Sequence, residues 1–417
     1  VTNPAQPLRR ADGTDTGQRF PLDTTYSEWA RSDYAVAGSP DARTCQDCHL
    51  PRLAGPGQSS TYKTAMVRDR PRRHDFAGAN AWGLRVLAAL RMSTDSGDFY
   101  DPTVVPLYEA GARRAEESLR SALTIELREV PTRAAPGERV EVVARVTNRA
   151  GHRVPTGYAD GRRVWLEVSL VDAERRATVL SGAYDDATAH LEESAAGLRV
   201  YAAWHGRAGV GRGEHIALHD TVVRDTRLPP KGYRPLAGHE PVGADYSGGA
   251  NGSLRHWDDA RYAITVPANA RGMITVRVRA RYQTTTREYV EFLARENHTD
   301  DRGRELLRLY EASGRAAPFD MTEATAEVVV IPAPVDAGVE DASARDGGGD
   351  AAAARDARMT GEGPEPAPGC GCRTGRRSRE ASGAWWLTAL AVAAARGAFS
   401  GRRRGSAPTR GRASRGR

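Results

Sequence analysis

Thr44-Cys45-Gln46-Asp47-Cys48-His49 holds the residues whose types and spacing point most directly to chemistry. Two thiols separated by two residues sit on one turn, and an imidazole follows them directly. This C-x-x-C-H spacing is the one at which a c-type haem is attached. Each thiol adds across one vinyl group of the porphyrin, and the adjacent histidine lies under the iron as its proximal ligand. Covalent attachment also holds a cofactor in a domain too small to enclose it by packing alone. A thioredoxin-like redox pair belongs at a helix start in a βαβ context, and that context is missing here. A zinc site needs about four ligands, and the other two cysteines, Cys370 and Cys372, lie beyond a low-complexity linker. Chance recurrence stays open because only three positions are fixed, but the surroundings weigh against it.

The motif lies within a longer pattern. Tyr26-Ser27-Glu28-Trp29-Ala30-Arg31-Ser32-Asp33-Tyr34 precedes it, and His74-Asp75-Phe76-Ala77-Gly78-Ala79-Asn80 follows. Further on come Gly151-His152-Arg153-Val154-Pro155-Thr156-Gly157-Tyr158 and Asp225-Thr226-Arg227-Leu228-Pro229-Pro230-Lys231-Gly232. Tyr282-Gln283-Thr284 and Tyr289-Val290-Glu291-Phe292-Leu293 close the series. Together, in this order and over roughly residues 24–322, they make the chain resemble periplasmic multihaem cytochromes c of the cytochrome c-554 type. The resemblance implies a covalent haem c, electron exchange with redox partner proteins such as other cytochromes, and attachment of the haem outside the cytoplasm. One departure matters: those cytochromes carry several C-x-x-C-H motifs and this chain has one. The chain opens on Val1, which implies a processed N-terminus or a start that lies further upstream. Additional motifs there would restore the family pattern.

Cys45 and Cys48 are expected to hold the haem and His49 to ligate its iron. The second axial ligand comes from the remaining nine histidines or from a methionine. His74 is 25 residues after His49 in a loop, and in the resembled family this position looks like an axial ligand, so it is the favoured choice. The runner-up is His152, between Gly151 and a Pro-Thr-Gly turn, which could serve a second haem instead. Met66 and Met92 are weaker options. Two imidazole ligands would set a lower potential than one imidazole and a thioether. The other histidines are read as ordinary surface or core residues. Trp29, Tyr34, Phe76 and Trp82 cluster around the motif in sequence and would pack either on a porphyrin or on one another. Asp225, Arg227 and the turn at 229–232 read as structural. The chain contains no supported nucleophile–base pair and no G-x-S-x-G, H-E-x-x-H, Walker or dinucleotide fingerprint.

The elements that must position these groups change character along the chain. Residues 1–24 are polar and read as a loose lead-in. Residues 25–122 carry helical signals broken by loops, with the best helix over 105–121, and no strand of convincing length precedes Leu123. From there the period becomes two. Val140, Val142, Ala144 and Val146 alternate with Glu141, Val143 and Arg145; 164–170 and 274–282 alternate likewise. Such strands present one face to a core and one to water. Shorter strands are expected at 215–223, 261–266 and 324–331, and helices at 287–297 and 302–313, the latter with Leu306, Leu307 and Tyr310 on one face. The predicted fold is α+β: a small, mostly helical c-type haem module over 25–122, then an antiparallel β-sandwich over 123–332.

The C-terminal part is different again. Residues 333–369 form an acidic linker of Ala, Gly, Asp and Pro that cannot bury enough surface to offset its ordering entropy. Residues 370–417 hold 12 Arg and one acid, so of the formal net charge of +7 the first 369 residues carry about −4. The basic pI therefore does not indicate nucleic acid. Mean hydropathy is −0.56, and four cysteines exclude a disulfide-dense scaffold. Residues 381–401 are a weakly apolar stretch with Trp385 and Trp386 at one end and one charge, Arg396. At about 1.5 Å per residue a helix of this length just spans a bilayer core of about 30 Å. Gly369-Cys370-Gly371-Cys372, this stretch and the arginines after it resemble the myxobacterial C-terminal sorting tail (MYXO-CTERM type). That resemblance implies Cys370 as the processing or lipid-attachment residue. It also implies membrane anchoring before processing, and delivery of the body to the periplasm or outer cell surface. The excess of arginine after the span places the C-terminus in the cytoplasm.

The sequence thus predicts an exported c-type cytochrome that transfers single electrons, with a carrier favoured over an enzyme and the choice left open. Two alternatives remain at this level: the C-terminal part of a multihaem oxidoreductase acting on a small nitrogen compound, and a non-haem surface module built on the β-sandwich.

Overall fold

The computed structural model describes residues 2–58, 60 and 62–331. The acidic linker, Cys370 and the tail lie outside the described residues. The alternating apolar positions become strands Arg139–Asn148, Arg163–Val171 and Gly272–Gln283. The first pairs antiparallel with Trp257–Thr265 and Leu123–Arg128 to make a three-stranded sheet. The other two are neighbours in a ten-stranded sheet that also holds Val200–Arg207, Thr221–Asp225 and Phe319–Val330. Inward side chains of both sheets, among them Val142, Val146, Leu166, Val168, Val276 and Val278, form one apolar core. Each such burial is worth about 1.5–3 kcal/mol.

The fold is mostly β, and the larger sheet is mixed. Two of its pairings are parallel: Arg9 with Thr221, and residues 133–134 with the end of Phe319–Val330. Helices are few. Thr25–Ala30, Cys45–His49, Ala81–Met92 and Val105–Ala122 lie before the first sandwich strand. The last two pack through small residues, Ala81, Ala112 and Ala115 with Leu84, and Arg85 bridges to Glu116 at 2.6 Å. Among the described residues no helix is long and apolar enough to cross a membrane.

The parallel pairings depart from the antiparallel sandwich expected from the sequence, and three further features depart as well. The lead-in is not loose: Thr2–Arg9 and Asp15–Pro21 pair as a ribbon at one end of the large sheet. Its large apolar anchors, Leu8 at 2% and Phe20 at 0% exposure, are too sparse to show as alternation. Pro4 and Pro7 are tolerated because this ribbon meets the rest of the sheet at a single register pair. The strand Arg163–Val171 is buried on both faces, not one. Glu167 is satisfied there by Arg279 and, at 2.9 Å, by Arg281. Trp165 is covered by Leu191, Val200 and Ala202. Finally, the strand expected at 215–223 begins at Thr221, because Ile216–Leu218 forms a 3-10 turn. The late helices form at Arg287–Glu296 and Arg302–Ala312, and Leu306, Leu307 and Tyr310 join Val290 in a side cluster.

Candidate functional site

The C-x-x-C-H segment is itself a short helix, Cys45–His49. Asp47 reaches back to accept from the Thr44 N–H at 2.7 Å and its hydroxyl at 2.8 Å, which closes the first turn. Arg72 donates to the carbonyls of Gln46 (2.7 Å) and Leu50 (3.1 Å) and to the Asp47 carboxylate. The Thr44 N–H and Arg72 hold Asp47 well below the usual carboxylate range. One arginine therefore ties the end of the motif helix to the segment leading into the 74–80 loop. Cys45 and Cys48 are free and exposed. Partial desolvation, with Asp47 beside it, pushes the Cys48 thiol up, so it stays protonated at neutral pH.

His49 turns its Nδ1 to the carbonyl oxygen of Ala77 at 2.5 Å. Its ring lies 6.2 Å from the ring of His152, with the two planes 14° apart. His152 in turn places Nδ1 3.0 Å from the Arg153 carbonyl. With a proton on each Nδ1, both rings keep Nε2 as the ligating nitrogen, the arrangement that metal-binding histidines favour. The two imidazoles are close enough for a haem held by the motif to be offered a nitrogen by each. Burial pushes the His152 pKa down, which keeps the imidazole neutral and ready to bind. The donor set therefore fits a haem held by Cys45, Cys48, His49 and His152. Phe76, next to the Ala77 that meets His49, leaves 69% of its surface exposed, apolar area that a porphyrin would cover.

Several groups bring His152 to this position. At Gly151 a Cβ would stand 3.3 Å from Trp29, a tight contact, and 3.5 Å from Tyr34, so a larger side chain would press on both rings. The Tyr34 hydroxyl donates to the Arg149 carbonyl at 3.1 Å, and the Asn148 amide donates to the His152 carbonyl at 2.8 Å. Behind them lies a buried ionic network. Glu28, fully buried, accepts from the Arg153 N–H at 3.0 Å and the Thr156 hydroxyl at 2.9 Å, and faces Arg227 at 3.3 Å. Burial pushes Glu28 up, but Arg227 and Arg153 more than offset it and hold the carboxyl low. Asp225 accepts from both arginines, at 2.5 and 2.6 Å. The 229–232 turn clamps the other side: Lys231 meets Asp41 at 2.5 Å, and the Asp33 N–H donates to the Lys231 carbonyl at 2.9 Å. Gly232 has φ +72° against Asp33, a conformation and a contact that exclude a side chain.

The other expected site residues fall elsewhere. His74 is exposed, with its ring 5.8 Å from that of Phe76; its loop meets His49 through Ala77. Trp29 and Tyr34 back the His152 loop. Trp82 packs on Tyr310 and donates to the Ser313 hydroxyl at 2.8 Å, away from the other motif aromatics. Sequence reasoning missed Glu28, Arg72 and the group Asp160, His205 and His219. Those last three come together only through strand pairing, and no local spacing marks them.

No family model matches the chain, and no curated protein matches it. Among solved structures, a penta-heme cytochrome c552 from Thermochromatium tepidum is similar at 15% identity and a TM-score of 0.39, over 78% of this chain and 54% of that one. The chain thus spans about half the length of that neighbour.

Proposed function

We propose that the chain is an exported c-type cytochrome that carries single electrons at the cell envelope, with one haem attached through Cys45 and Cys48 and ligated by His49 and His152. The observation that carries this reading is the facing of His49 and His152, near-parallel at 6.2 Å beside two free thiols on one helical turn. His152 is preferred to His74 because its ring is already set against His49, while His74 stands exposed. A haem so bound supplies one-electron chemistry with both axial positions filled, which favours a carrier over an enzyme. The chain's own part is positional: Ala77 and Arg153 orient the imidazoles, Arg72 fixes the motif helix, and the Glu28 network holds the His152 loop. Its redox partners would be other cytochromes, and the C-terminal tail with Cys370 would anchor it before processing.

The test is the absorption spectrum of protein produced with a haem-maturation system. Wild type is expected to show six-coordinate, low-spin bands. His152→Ala is expected to shift the ferric spectrum to high spin, and His74→Ala to leave it low spin. A low-spin spectrum that survives His152→Ala and is lost in His74→Ala would replace His152 by His74.

A further inference from the structure

Asp160, His205 and His219 place one ligand atom each within 4.8 Å of one another. Asp160 sits in the turn before strand Arg163–Val171, His205 on strand Val200–Arg207, and His219 just after the 3-10 turn Ile216–Leu218. The pairing of Val200–Arg207 with Thr221–Asp225 shifts register between Trp204 and His205, an irregularity of the kind that re-aims a side chain. All three side chains are nearly dry, at 8%, 7% and 1% exposure. Phe20 closes the group, its ring edge-on to both imidazoles at 5.1 and 5.9 Å.

The hydrogen bonding leaves a specific deficit. His219 Nε2 donates to the Gly213 carbonyl at 2.8 Å, so in the neutral ring Nδ1 carries a lone pair. Nδ1 is buried without a hydrogen-bond partner and stands 3.7 Å from Asp160 Oδ1. Two buried acceptors therefore face each other, an arrangement that costs free energy unless a cation lies between them. The third atom, His205 Nδ1, is 3.1 Å from both Asp160 oxygens. Ligands on a tetrahedral ion with bonds of about 2.0–2.1 Å stand about 3.3 Å apart, close to both separations.

We infer that these residues form a buried site for a divalent first-row transition ion, of which zinc is the probe. Two imidazoles and one carboxylate suit zinc or iron(II) and not magnesium or calcium, which prefer all-oxygen sites. The Gly213 carbonyl is the outer partner that orients His219. On binding, the His205 proton moves from Nδ1 to Nε2 and its Nδ1 lone pair turns to the ion. A small cavity lined by Pro21, Leu22, Arg153, His205 and Asp225 adjoins the site and offers the approach. The ion would staple the N-terminal ribbon, through Phe20, to the strands that carry the histidines.

The test uses tag-free, haem-loaded full chain, stripped with a chelator and offered equimolar zinc. Metal analysis after gel filtration is expected to find one zinc per chain, with a raised melting temperature. Asp160→Asn and His219→Gln are expected to weaken zinc binding by about 100-fold or more, since even outer-shell losses cost 10–100-fold, with haem content unchanged. Folded wild type that takes up no zinc, or variants that hold it as tightly as wild type, would overturn the site. The wild-type count decides the question even if both variants fail to fold, and the haem content, read separately, keeps this result apart from the cytochrome assignment.

Discussion

At the scale of single residues, the account rests on nitrogen atoms and who holds them. Two backbone carbonyls, of Ala77 and Arg153, take the Nδ1 atoms of His49 and His152. Glu28 bears the load behind His152, because it is the buried acceptor for the Arg153 N–H and the counter-charge to Arg227. Glu28→Gln leaves two buried arginines sharing Asp225 alone, and removing one partner of a buried ionic group costs about 3–5 kcal/mol. Chemical denaturation is expected to show a loss of that size; a change under about 1 kcal/mol would mean that the network does not depend on this carboxylate. The C-x-x-C-H motif stands out in the sequence because its spacing is local. Glu28 does not: a lone acid in a short helix reads as a solvated one, and only the fold reveals its burial at 0% exposure.

At the scale of elements, the strands with strict alternation and the helices over 105–122, 287–296 and 302–312 were readable from periodicity. The ribbon over 2–21 was not, because among its buried residues only Leu8 and Phe20 are large and apolar. The double burial of Arg163–Val171 was hidden too, since Glu167 and Ser169 look water-facing until Arg279 and Arg281 are seen to cover the carboxylate and Arg277 the hydroxyl. The loop at 148–153 is the element that matters most for function, and its shape depends on Gly151. Gly151→Val is expected to push the loop off Trp29 and Tyr34 and to raise the high-spin fraction of the haem spectrum without unfolding the sandwich. An unchanged low-spin spectrum would show that this close approach does not set the ligand.

At the scale of the whole molecule, the titrating groups predict the pH dependence of stability. Burial pushes the pKa of His239 and His256 below the ordinary value near 6.5. Between their folded values and about 6.5 the unfolded chain binds more protons, so stability is full above that range and is lost as pH falls through it. Glu28 and Asp225 are also held low, so their contribution is present above about pH 4 and is lost below it. The melting temperature is thus expected to fall between pH 7.5 and 5 and again below about 4; a flat profile over the upper range would contradict the burial of these histidines. The formal charge belongs to the same scale: the first 369 residues carry about −4, while the net positive charge lies after residue 369.

The central claim is that Cys45 and Cys48 hold a haem covalently. Its most direct measurement is haem retention after denaturing electrophoresis and intact-mass analysis of protein made with a haem-maturation system. The account predicts haem-stained protein whose mass exceeds that of the chain by one haem, and loss of both stain and added mass in Cys45→Ala/Cys48→Ala. Wild-type protein that carries no added haem mass, or a double variant that retains it, would contradict the account.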